Sequence, residues 1–91
     1  MVPERLFTGS LSMEAFRKAL TEKEWKWYQE KRKEDRRFGL KMVEALNFMD
    51  GKKTVHDIVT AVSAEYTETK TEDILKFLQD LEKMKLISLI A

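Results

Sequence analysis

Apolar residues in the second half of this chain recur at helical spacing. Between positions 38 and 49, Phe38, Met42, Ala45, Leu46 and Met49 fall at i, i+4, i+7, i+8 and i+11, which is one face of an α-helix. Leu40, Val43 and Phe48 add apolar surface off that stripe, so the helix is expected to be contacted on more than one side. Asp50-Gly51 should end it, because Gly51 enters the left-handed region of a C-terminal cap with no Cβ penalty. After a short extended link at 52–54, Val55, Ile58, Val59, Val62 and Tyr66 keep one stripe, predicting a helix over 55–66. Its three valines have low helix propensity, so tertiary packing must hold it. A tight turn at 67–70 leads to a last helix over 71–83, with Ile74, Phe77, Leu78 and Leu81 buried and Leu75 flanking. Lys83 and Lys85 suit the negative end of its dipole. The pattern then changes to a β-type run at 86–90, LISLI. A lone strand is not viable, so a partner is expected in the 52–54 link or at Leu6 and Phe7.

Helix starts are marked by capping boxes, in which a Thr hydroxyl accepts from the third amide and that residue's acid accepts from the Thr amide. Thr21-x-x-Glu24 and Thr54-x-x-Asp57 fit, as does Thr69-x-x-Glu72, with Thr71 a competing cap. The first half is less regular. Ser12 is placed to cap a helix over 13–20, where Met13, Phe16 and Leu20 share a face. A second helix should run from 22 to about 32, with Trp25 and Tyr28 on one face and Trp27 elsewhere. Residues 29–37, QEKRKEDRR, hold no apolar side chain and read as an exposed helical stretch or a break. Residues 1–10 carry the single proline, Pro3, and Gly9, and read as a linker or tail before one domain at 11–91. The fold class expected is mainly α: a winged-helix-like three-helix core, two extra N-terminal helices and a minimal C-terminal β element.

Length and charge narrow the function. Ninety-one residues support one core and not two. Charged residues make up 36% of the chain, yet 17 basic and 16 acidic side chains leave a net charge of only +1. That balance argues against a dedicated nucleic-acid binder. The absence of cysteine excludes disulfides, thiolate metal sites and cysteine nucleophiles, and suits a cytoplasmic setting. No apolar run approaches the roughly 18 residues of a membrane span, and no secretory signal pattern opens the chain.

The order helix, DGKKT link, helix, tight turn, helix, strand is that of a winged helix-turn-helix. The stretch LNFMDGKKTVHDIV followed by LEKMKLISL resembles two domain groups. One is the peptide-binding winged-helix family typified by the peptide chaperone of pyrroloquinoline-quinone biosynthesis: Asp50, Gly51, Lys52, Thr54 and Ile58 match its entry pattern, and Leu78, Leu81, Leu86 and Ile87 its exit. The other is the small winged-helix domain at the C-terminus of some microbial zinc aminopeptidases, matched at Leu46, Asn47, Asp50, Gly51 and Lys52. Both resemblances cover about residues 38–89 and specify a fold better than an activity. Upstream the pattern departs. The peptide-binding family carries β-strands before its helices, and the bound leader peptide adds to that sheet, whereas residues 11–35 here read as helical. This favours an accessory domain of a larger enzyme or complex, excised as a C-terminal module, whose catalytic and zinc-binding residues would lie elsewhere.

Candidate chemistry is sparse. His56, the only histidine, starts a helix beside Asp57, and one histidine without cysteine does not build the usual zinc sites. Glu68, Glu72 and Asp73 form the densest acidic cluster, but acids at a helix N-terminus are expected for dipole reasons alone. No phosphate loop or nucleophile elbow is present. Neither catalysis nor a cofactor or metal is therefore expected. In a helix-turn-helix the N-terminal residues of the second helix face the DNA bases. Here two acids occupy those positions, and residues 51–91 hold six basic against seven acidic side chains. DNA binding by a transcriptional regulator is the alternative, with Lys52, Lys53, Lys70, Thr71 and Lys76 as its contacts, and its wing would be short or absent, since the chain runs only to Ala91. The preferred reading is a non-catalytic protein–protein or peptide interaction module, whose partner is a protein, a peptide or another domain of the same chain, with no membrane involved. Its contact surface is expected at Trp25, Trp27, Tyr28, Arg32, Arg36 and Arg37. Trp25 and Trp27, two apart, cannot share one buried face, so one is expected exposed, where Trp is favoured at interfaces. The basic run at Lys31, Arg32, Lys33, Arg36 and Arg37 is interrupted by Glu30, Glu34 and Asp35; it is a solvated face or a dock for an acidic partner or RNA.

Overall fold

The computed structural model describes residues 2–6, 13–66 and 68–90. In chain order these form strand β1 (Val2–Arg5), helices α1 (Met13–Ala19), α2 (Glu22–Glu34), α3 (Phe38–Asn47), α4 (Val55–Glu65) and α5 (Thr71–Lys83), and strand β2 (Ile87–Ile90). The architecture is mainly α with one small antiparallel sheet.

The predicted stripes are the core. Ile74, Phe77, Leu78 and Leu81 of α5 are fully buried, and Phe38, Met42, Ala45 and Leu46 of α3 and Val55, Ile58, Val59 and Val62 of α4 are buried beside them. Each large side chain so buried contributes about 1.5–3 kcal/mol, which explains how a valine-rich α4 stays helical. Phe16 of α1 and Tyr28 of α2 extend this core across the N-terminal helices.

Two capping boxes form as read. Thr21 Oγ1 accepts from the Glu24 amide at 3.2 Å, and Glu24 Oε1 accepts from the Thr21 amide at 3.0 Å. Thr54 and Asp57 repeat this at 3.1 Å in both directions. The box expected at Thr69 is absent, and Thr71 does not replace it. The N-cap of α5 is Lys70, with no side-chain cap, and Thr71 is the first helical residue. The Thr69 amide instead donates to Ser63 Oγ at 3.0 Å, which ties the turn back onto α4. Ser12, expected to cap α1, lies outside the described residues.

Helix α3 ends at Asn47, earlier than its stripe suggested, although Met49 remains buried. Gly51 takes φ +78°, as its position requires, but inside the next turn and not as the cap of α3. There Asp50 Oδ1 accepts from the amides of Lys52 and Lys53, both at 2.9 Å, an Asx turn that aims the chain into α4. The end of α5 holds a device not read from sequence. Lys85 has φ 61°, its amide donates to the Glu82 carbonyl at 2.9 Å, and the Leu86 amide donates to the Leu81 carbonyl at 3.0 Å. This is a Schellman motif with lysine where glycine is usual.

Of the two partners expected for the C-terminal strand, the 52–54 link is not used, and the Leu6 region contributes only at the end of a pairing made mainly by the residues before it. Residues 52–54 belong to the Asp50 turn and the α4 cap, and β2 pairs with Val2–Arg5, inside the stretch read as loop. The register joins Val2 to Ile90, Pro3 to Leu89, Glu4 to Ser88 and Arg5 to Ile87. Leu6 adds one further bond, from its amide to the Leu86 carbonyl at 2.9 Å; Phe7 lies outside the described residues. Because antiparallel pairs alternate, a bonded Leu6 and Leu86 pair puts Pro3 opposite Leu89 at a non-hydrogen-bonded position. The missing proline N–H therefore removes nothing from the ladder. On the far side of β2, the Leu89 amide donates to Glu82 Oε2 at 2.9 Å, fastening the strand to α5. Among the described residues, no helix is long and apolar enough to cross a membrane.

Candidate interaction surface

Helix α2 carries the residues expected to make contact, and the structure divides them into two groups. Tyr28 is fully buried, so it is not a surface residue. Its hydroxyl donates to Asp80 Oδ2 at 2.5 Å, and Lys76 Nζ donates to the same oxygen at 2.9 Å. Its ring meets Phe16 and Trp27 edge-on, at centroid distances of 5.2 and 4.8 Å. Burial and the Asp80 carboxylate push the phenol well above its ordinary value, so it stays protonated as a donor.

The two tryptophans flank Tyr28 on α2, and neither is exposed: both are half-buried. With Tyr28 on the buried line, positions 25 and 27 lie to either side of it around the helix. Each ring leans inward against a different neighbour, which the divergence of positions i and i+2 does not forbid. Trp27 packs edge-on against Phe38 at 6.1 Å, with the ammonium groups of Lys76 and Lys31 at 5.0 and 5.5 Å from its ring centroid. Trp25 faces α1, where the Arg17 guanidinium stands 5.4 Å from its ring. An open cleft of about 690 Å³ runs beside it, lined by Arg17, Leu20, Thr21, Lys26 and Gln29 among others.

Arg32, Arg36 and Arg37 are exposed at the corner where α2 ends and α3 begins. The acids between them are engaged. Glu34 lies 3.5 Å from Lys31, which also pairs with Asp73 at 3.2 Å. Asp35 accepts from Lys41 Nζ at 2.5 Å and from the Arg37 amide at 3.0 Å. The Lys41 ammonium holds the Asp35 carboxyl below its ordinary value. Lys41 is only 1% exposed and also donates to the Glu68 carbonyl at 3.1 Å, bridging the corner to the turn before α5.

Sequence reasoning missed Lys41 and Asp80 as buried charges. A signal existed for Asp80: Phe77, Asp80, Leu81 and Met84 sit at i, i+3, i+4 and i+7, so it shares the buried face. Lys41 borders the stripe of Phe38, Met42 and Ala45. The apolar residues off that stripe also behave differently from expectation. Leu40 and Val43 are 55% and 46% exposed, and only Phe48 packs against the core. Helix α3 packs on α2, α4 and α5, while Leu40 and Val43 remain about half in solvent.

The remaining candidates separate too. The acidic cluster does not converge: Asp73 faces Lys31, while Glu68 and Glu72 point to solvent. His56 is exposed, and the neighbouring Asp57 carboxylate is spent on the α4 cap, which holds it below its ordinary value. Of the residues proposed for DNA, Lys76 is tied to Asp80 and stacked on Trp27, and Lys53 pairs with Asp50 at 2.9 Å. Lys52, Lys70 and Thr71 are exposed.

Comparison with known proteins gives one assignment of part of the chain. No curated protein and no solved structure matches it. Residues 43–87, from α3 through α4 and α5 to the first residue of β2, match a family model. Over that stretch the chain is similar to coenzyme PQQ synthesis protein D, the PqqD family.

Proposed function

We propose that this chain is a non-catalytic protein- or peptide-binding module, acting as an accessory domain of a larger protein or assembly in the cytoplasm. The observation that carries this reading is the PqqD match, because it coincides with the structural scaffold α3–α5 and the start of β2. The succession of α3, the Asp50 turn, α4, a tight turn, α5 and β2 supports a winged-helix reading of that scaffold. In it α5 holds the place of a recognition helix but serves as the main core helix. The outward-facing residues of the α2–α3 corner, Arg32, Arg36 and Arg37, with Trp25 at the α1–α2 cleft, form the contact surface. Trp27 and Tyr28 hold α2 in position beneath it.

DNA binding is less well supported. It needs an outward excess of Lys and Arg, and the start of α5 presents Glu68 and Glu72 while Lys76 is turned inward onto Asp80. Panning a random peptide display library over the immobilised full chain tests the proposal, with labelled duplex DNA at low salt as counter-assay. Enriched peptides that bind saturably, with DNA inert, are the expected result. Steeply salt-dependent DNA binding with no enriched peptide would overturn it.

A further inference from the structure

The basic run at 31–37 looks diluted in sequence, because Glu30, Glu34 and Asp35 interrupt it. In the fold Glu34 lies beside half-buried Lys31 and Asp35 pairs with buried Lys41, while Glu30 faces solvent on α2. Asp35 is thereby occupied by Lys41, Glu34 stays exposed beside Lys31, and Arg32, Lys33, Arg36 and Arg37 outnumber the outward acids around one corner. Helix α3 starts there with no acid in its first turn, and the Asp35 carboxylate that accepts from the Arg37 amide already answers its dipole, so the exposed cations supply the outward field. One turn further on, Leu40 and Val43 lie three residues apart on the outward side of α3. Four large apolar side chains stand out as exposed among the described residues, and these are two of them. Cations and an apolar pair are thus contiguous.

We infer that this corner docks an acidic segment of a partner protein, with carboxylates meeting Arg32, Lys33, Arg36 and Arg37 and apolar side chains resting on Leu40 and Val43. The inference rests on the interaction-module reading and specifies the chemistry of its partner. Charge complementarity selects an acidic occupant, and the apolar pair selects a polypeptide over a bare polyanion. Single-stranded RNA is the other polyanion to consider, and it needs open aromatic faces for base stacking. Here the Trp25 and Trp27 rings already have cations beside them, Arg17 for one and Lys31 and Lys76 for the other.

The test is fluorescence anisotropy with the full chain and three labelled probes: a synthetic peptide of Asp, Glu and Leu, its twin with every acid replaced by Lys, and oligouridylate. Two double variants, Arg32→Glu with Arg36→Glu and Leu40→Ser with Val43→Ser, are read beside wild type, with circular dichroism confirming that each folds. The acidic peptide should bind saturably and the basic twin should not. Charge reversal should weaken binding roughly tenfold or more, and raised salt should weaken it too. The serine variant should weaken it several-fold at unchanged salt dependence. Unchanged binding in the charge-reversed variant, or no binding of the acidic peptide, overturns the inference. Unchanged binding in the serine variant overturns its apolar half, and tighter binding of oligouridylate than of the peptide reassigns the corner to RNA. If library panning yields peptides without acids that ignore both variants, the corner is wrong while the module reading stands; if panning yields nothing, both fall.

Discussion

Replacing Tyr28 with phenylalanine separates a structural from a contact role for the centre of α2. The substitution keeps the ring, and with it the edge-on contacts to Phe16, Trp27 and Phe77 at 5.2, 4.8 and 6.4 Å. It removes only the hydroxyl that donates to Asp80 Oδ2. Asp80 is 2% exposed, so water cannot simply take the vacated place, and Lys76 remains its other donor. Losing a hydrogen bond to a buried charged acceptor costs about 1.5–3 kcal/mol. For a domain of this length that corresponds to a melting temperature lower by roughly 8–16 °C. Urea unfolding followed by tryptophan fluorescence and far-UV circular dichroism should show a lower midpoint with an unchanged m-value. Tyr28→Ala, which also deletes the ring, should cost about 3–5 kcal/mol. A Tyr28→Phe variant within about 0.5 kcal/mol of wild type, the range of ordinary surface changes, would refute the buried bond, and an equally neutral Tyr28→Ala would refute a structural role for Tyr28.

The capping assignments predict a contrast. Thr21→Ala and Thr54→Ala should each lower stability by about 1 kcal/mol, whereas Thr71→Ala, at a position that caps nothing, should stay within about 0.5 kcal/mol by the same urea assay. Lys85→Gly should raise stability by about 0.5–1 kcal/mol, since glycine takes the left-handed cap conformation at no steric cost; a destabilised variant would count against the Schellman geometry. Acid should destabilise the fold through Asp35, Glu24 and Asp57, whose carboxyls are lowered by Lys41, Thr21 and Thr54 respectively. Because the folded values lie below the ordinary 3.8 and 4.5, the contribution is complete above those values and is lost as pH falls through the folded ones. The urea midpoint should therefore decline below about pH 4, and more gently in Asp35→Asn; an equal slope in that variant would contradict the Lys41 pairing.

What could be read in advance was local. The helices α3, α4 and α5 are encoded by apolar spacing within each segment, and the two capping boxes need only four consecutive residues. What could not be read was set by distant neighbours. Strand β1, with sequence VPER, has no alternation and contains a proline, and it becomes a strand only because β2 offers it a ladder with Pro3 in a harmless register. The third capping box failed because Ser63 claims the Thr69 amide from another helix. The same holds for the surface. That Arg32, Arg36 and Arg37 are exposed follows from their charge, whereas the pairing of Asp35 depends on Lys41 being held in the core. The tryptophans were misjudged because helical angle says where a ring starts and not what it leans against.

An amide-resolved NMR titration of the full chain tests the module reading most directly. With a peptide selected by panning, perturbations should concentrate on residues 32–43 at the α2–α3 corner and leave the start of α5 quiet; duplex DNA should perturb neither. Perturbations confined to Lys70, Thr71 and Lys76 on adding duplex DNA, with the peptide silent, would contradict the account.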